Sequence, residues 1–70
     1  MKKKFGRILY AIRDKLGMTQ QMFGDSLTVS VNVIKKLENG YTKPDIEFLG
    51  KLRWVHGVSL DRLLDNLRKK

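Results

Sequence analysis

Apolar residues recur along the chain in five blocks, each with the three-and-four spacing of a helix that buries one face. Phe5, Ile8, Leu9, Ile12 and Leu16 form the first stripe, and Gly17 stands where a helix commonly stops. Thr19, a good N-cap, opens a second block carrying Met22, Phe23 and Leu27. The chain then breaks around Thr28 and Val29, and Ser30 offers another cap. Val33, Ile34 and Leu37 follow, ending at Gly40. After a loop, Tyr41-Thr42-Lys43-Pro44, Asp45 caps a fourth block with Ile46, Leu49, Leu52 and Val55 expected inward. Gly57 ends it, Ser59 caps the last, and Leu60, Leu63, Leu64 and Leu67 make the final stripe. No period-two alternation competes anywhere, so the pattern predicts an all-α fold of five helices in one unit spanning residues 1–70.

The stretch from Thr19 to Gly40 reads as two short helices in tight succession, and the rest of the chain is arranged to hold it. At about 100° per residue, Val33, Ile34 and Leu37 fall on one side of the second of these helices. Asn32, Lys35, Lys36 and Asn39 fall within an arc of roughly 100° on the other side. That outer arc carries two cations and two amides and no carboxylate. A short helix with a donor-rich outer face, propped by a preceding short helix, suits the major groove of DNA.

These residues resemble the phage repressor/Cro type (XRE-like) of helix-turn-helix, a family likeness that covers most of the chain. Thr19-Gln20 opens the first motif helix, Val29-Ser30 lies in the turn, and Ile34 with Leu37-Glu38-Asn39-Gly40 closes the second. Lys43-Pro44, Gly57-Val58-Ser59-Leu60 and Leu63-Leu64 match later landmarks. The resemblance implies a compact five-helix, lambda-repressor-like DNA-binding domain with the motif at about 19–40 and a recognition helix at about Val31–Asn39. By position, Val31, Asn32, Lys35 and Lys36 would face base edges, with Asn32 suited to adenine and Lys36 to guanine acceptors. Val31 either touches a thymine methyl or packs at the helix edge. Thr19, Gln20, Asn39, Tyr41, Thr42 and Lys43 would lie along phosphates. The likeness also pairs Arg13 with Glu38, tying helix 1 to the recognition helix; the alternative is that both are solvated charges.

Three positions depart from the family pattern. Thr28 stands where glycine is usual in the motif turn, and a β-branched residue is strained in a left-handed conformation. Gly24 replaces a small alanine, keeping close helix approach at a cost in helix propensity. Arg53 and His56 stand where alanine and leucine usually pack, so helix 4 is rotated or those side chains snorkel.

Charge adds a partner class. Fifteen basic against seven acidic residues leave +8, and the pI is near 10.1, which favours a polyanion. Residues 2–4 are a lysine run, either a frayed arm or the first helical turn, with Lys2 expected in a solvated tail; Arg68, Lys69 and Lys70 suit the last helix's dipole. Absence of cysteine removes disulfides, thiolate metal sites and cysteine nucleophiles. One histidine without paired carboxylates gives no catalytic or metal-binding constellation, so no enzyme activity, metal, cofactor or small-molecule ligand is expected. Lacking a long apolar run and a secretion signal, the chain is expected to be cytoplasmic, with no membrane partner.

Double-stranded DNA is thus the expected partner. The expected function is that of a sequence-specific, repressor-like transcriptional regulator acting as a homodimer, which can assemble on the DNA. The expected dimer surface is the Tyr41–Pro44 loop, Phe48 and the exposed side of Leu60–Leu67. The alternative is a protein-interaction module of the same fold, an antitoxin or anti-repressor partner without specific DNA binding, in which Phe48 and Trp54, if not buried, mark the partner surface. Single-stranded RNA is the weakest option, since the aromatic residues are expected mostly on core-facing positions.

Overall fold

Caps and glycines divide the chain where the sequence pattern places them. In the computed structural model, which describes Lys2–Arg68, the elements are α1 (Lys2–Lys15), α2 (Gln20–Ser26), α3 (Val31–Glu38), α4 (Ile46–His56) and α5 (Leu60–Arg68). Lys69 and Lys70, expected at the end of the last helix, lie outside the described residues, as does Met1. The fold is all-α. The lysine run is helical from Lys2, which settles its reading as a first turn.

Each expected N-cap uses its side chain. Thr19 Oγ1 accepts the Met22 N–H at 3.1 Å, Ser30 Oγ that of Val33 at 3.4 Å, and Asp45 Oδ1 that of Phe48 at 2.8 Å. Ser59 Oγ accepts from Arg62 at 3.4 Å. Such bonds satisfy first-turn donors that have no partner within the helix. Gly57 ends α4 at φ 67°, a left-handed position that only glycine adopts without strain. Thr28 is the exception among the described residues, a non-glycine at φ 58°. It stays there at a cost of about 1 kcal/mol. The turn around it is closed by the Val29 N–H bonding Gly24 O at 2.9 Å.

The core is Phe5 and Leu9 of α1, Phe23 and Leu27 around α2, Ile34 and Leu37 of α3, Phe48 and Leu52 of α4, and Leu63 of α5. Phe5 and Phe48 meet edge to face, ring centroids 6.5 Å apart. α3 packs against both α1 and α2, so the recognition-like helix is held from two sides.

Several expected core positions are instead exposed. Leu16, Met22, Val33, Val55 and Leu64 are all surface residues, and Ile46 is 87% exposed. The reason is tertiary. In α4 the buried stripe runs through Phe48 and Leu52, one turn apart, because Phe48 has the Phe5 ring to pack on. That choice rotates Ile46 and Val55 out, and Arg53 with them.

His56 does not snorkel. Its ring stacks on Phe23 at 5.4 Å, and Nε2 lies 2.8 Å from Ser26 Oγ. Ser26 donates its only proton to Phe23 O at 2.7 Å. His56 Nε2 is therefore the donor in the contact between them.

Candidate nucleic-acid interface

The outer surface of α3 is set by what the helix buries. Ile34 and Leu37 turn inward, leaving Asn32, Lys35, Lys36 and Asn39 exposed together. Among the described residues, neither lysine takes part in an ion pair. Val31, at the start of α3, is half-buried.

The one carboxylate on α3 points away from this surface. Glu38 Oε2 accepts from Arg13 Nε at 2.7 Å and Oε1 accepts from Nη2 at 3.1 Å, a two-pronged pair. Arg13 Nη1 donates to Met18 O at 2.8 Å, fixing the guanidinium against the start of the motif. The hydrogen bond with Glu38 raises the Arg13 pKa, with charge attraction adding to it and partial burial opposing it. The two side chains are 14% and 6% exposed, so this pair is largely withdrawn from water.

Gln20 joins it. Its amide Nε2 donates to Glu38 Oε1 at 3.1 Å, an attachment that sequence spacing alone did not indicate. One N–H of that amide remains for another acceptor. Thr19 accepts the α2 cap bond and keeps its hydroxyl proton to donate. Beyond α3, the Tyr41 N–H bonds Lys36 O at 2.9 Å, holding the loop against the helix end. Asn39, Tyr41, Thr42 and Lys43 are exposed in that loop. A cleft of about 190 Å³ lies under it, lined by Val33, Leu37, Pro44 and Phe48 among others.

Two glycines bring α1 to this surface: Gly6, for which the sequence pattern predicts no role, and Gly40, expected only as the end of α3. A Cβ added at Gly6 would lie 2.5 Å from Glu38 O and 2.6 Å from Leu37 O, so α1 crosses directly over the end of α3. A Cβ at Gly40 would lie 2.7 Å from Lys3 Cγ, which places the first turn of α1 beside the loop that follows α3. The signal was a glycine inside a helical stripe, which marks either a defect or a close approach.

The aromatic surface differs from expectation. Phe48 is buried at 4%, so it belongs neither to a partner surface nor to a dimer contact. Trp54, at 83% exposure, has Ile46 and Val55 rather than Phe48 as its exposed apolar companions on α4. Tyr10 and Tyr41 are exposed too, so half of the aromatic residues lie outside the core. No helix in the described residues is long and apolar enough to cross a membrane, and no cluster of potential metal ligands occurs among them.

A family model described as helix-turn-helix matches residues 9–63. The chain is also 36% identical, over 67 residues, to the HTH-type transcriptional regulator ImmR of Bacillus subtilis (strain 168). That match covers 93% of this chain and 53% of the relative, so the chain spans about half the length of the curated protein it matches.

Proposed function

The chain belongs to the XRE-like helix-turn-helix family, and from that premise we propose that it is a sequence-specific regulator of transcription that reads double-stranded DNA with α3. Residues 1–70 act as one DNA-binding unit. The observation that carries this reading is the outer surface of α3, with Asn32, Lys35, Lys36 and Asn39 exposed and the helix's own carboxylate turned inward on Arg13. Among the described residues these exposed side chains have no hydrogen-bond or ion-pair partner, the arrangement a base-reading helix needs.

Asn32 and Lys36 discriminate bases, Lys35 and Val31 flank them, and Thr19, Gln20, Asn39, Tyr41, Thr42 and Lys43 contact phosphates. Asn32 lies in the first turn of α3 and Lys36 one turn later on the same face, so both can reach edges within one half-site. Lys43 lies beyond the helix, where a phosphate ridge would run.

The experiment is a paired titration of each variant against a selected duplex and a scrambled one. Asn32→Ala or Lys36→Ala should cost about 1–3 kcal/mol on the selected duplex and much less on the scrambled one. Lys43→Ala should weaken both nearly equally and reduce the salt slope by about 0.9 in log K per log salt. Equal losses on both duplexes for Asn32→Ala and Lys36→Ala would show that α3 is not the reader.

A single motif spans few base pairs, so a two-fold homodimer is the proposed binding species, repressing by occupying its operator. With Phe48 buried, its contact surface reduces to the Tyr41–Pro44 loop and the exposed side of α5 around Leu64. Ultracentrifugation at saturating protein should give two chains per duplex; one chain per duplex rejects the dimer.

A further inference from the structure

On a different side of the molecule from α3, the elbow between α4 and α5 stands off from α1 and leaves a groove of about 430 Å³. No residue of α2, α3 or the 39–43 loop lines it. Its floor is apolar, with Ile8 and Ile12 from α1, Val58 from the elbow and Leu63 from α5. Ile8 and Ile12 are only partly buried and Leu16 at its edge is exposed, so apolar surface is left uncovered here. Around that floor stand Lys15, Arg62 and His56, with Ser59 and Asn66 as neutral donors, and among the described residues no carboxylate lines the groove. Asp14, Asp61 and Asp65 are close in sequence, but none of them lines it.

We propose that this groove binds a small amphipathic anion, an alkyl or aryl carboxylate, with its apolar body on Ile8, Ile12 and Leu63 and its headgroup between Lys15 and Arg62. The volume falls in the range of pockets that enclose small molecules, and an apolar lining with a few convergent polar groups is their usual make-up. Charge decides the class of ligand. A neutral apolar molecule would gain only the floor, whereas a carboxylate also meets two cations at no cost in buried like charge. An amphipathic cation is rejected by the same two cations. Through its Ser26 contact His56 joins the groove to the end of α2, so its ring reports occupancy.

The site is independent of the DNA reading, and its test uses the free chain. The probe is decanoate, kept below its micelle concentration, with decanol and acetate as controls. Binding is followed by methyl and imidazole NMR and by the melting temperature. Decanoate should shift Ile8, Ile12, Leu63 and His56 saturably and raise the melting temperature, with decanol and acetate much weaker. The variant Lys15→Gln/Arg62→Gln, altered at two solvent-facing side chains, should bind decanoate about tenfold less tightly or worse and leave decanol unchanged. Decanol binding as well as decanoate, no saturable shift, or an unaffected double variant would each overturn the proposal. So would shifts centred on Trp54 instead of the groove. Groove signals that move with protein concentration in the absence of probe would assign the surface to a second copy of the chain and overturn it too.

Discussion

Replacing Gly6 by alanine should lower the melting temperature by more than about 10 °C, although alanine is the better helix former. Two effects of opposite sign meet at this position. Within a helix, glycine to alanine is worth about 1 kcal/mol in favour of folding. Against it, the new Cβ would stand 2.5 Å and 2.6 Å from the carbonyl oxygens of Glu38 and Leu37. Both are backbone atoms at the end of α3, so neither can rotate away as a side chain would. α1 must lift off α3 and loosen Phe5 and Leu9 in the core, a net loss on the order of 3 kcal/mol. Gly50 supplies the control. It lies inside α4, and a Cβ there meets nothing within 4 Å. Gly50→Ala should therefore stabilise the fold by about 1 kcal/mol. If both substitutions shift the melting temperature in the same direction, the contact of α1 on α3 is not as close as described.

Changing Glu38 to alanine should cost on the order of 3 kcal/mol, through what it leaves behind more than through what it removes. Arg13 is held by Met18 O as well as by the carboxylate, so its guanidinium stays where it is with two donors unpaired in a largely dry position. Gln20 loses its acceptor as well. For a chain this short that is a large share of total stability, roughly 0.05–0.15 kcal/mol per residue. Since the Arg13 pKa is raised, the guanidinium stays charged below its already high unfolded value, and the pair does not titrate away from the arginine side. Arg13→Ala should be damaging in the same way, whereas Arg13→Met with Glu38→Leu should recover much of the loss. Thermal melts of the two alanine singles and of the double alanine variant form a cycle that reads the coupling. Two singles with unmoved melting temperatures would mean the pair holds nothing together.

Much of this was legible along the chain because it depends on neighbours in sequence. Thr19, Ser30, Asp45 and Ser59 cap helices whose first turns are three residues away, and Gly57 stops one with its own backbone. The donor-rich arc of α3 is likewise a matter of angular spacing within a single helix. The Arg13–Glu38 pair, far apart in sequence, is indicated by family likeness and by the place of Glu38 beside Ile34 on the inner side of its helix, and no local pattern links the two residues. The base-reading and phosphate-contacting roles rest on the same likeness, together with the placement of those side chains on the surface.

Helical spacing gave five elements, their limits and the composition of the α3 surface, because hydrogen bonding and capping within a helix act over three or four residues. It could not say which of two adjacent apolar rows a helix would bury. In α4 the choice fell to Phe48 and Leu52 over Ile46 and Val55, because Phe5 of α1 offers an aromatic edge to pack on and nothing covers the other side. Tertiary contact also gave Gly6 its purpose and made the close approach expected at Gly24. A glycine inside a helical stripe marks a defect or a close approach without naming what approaches, and here that is the end of α3 for Gly6 and the turn before α3 for Gly24. His56, read as a misfit in a leucine position, found Phe23 and Ser26 from α2. The groove beside it exists only because the α4–α5 elbow stands off from α1, and such spacing between distant segments is decided by packing alone.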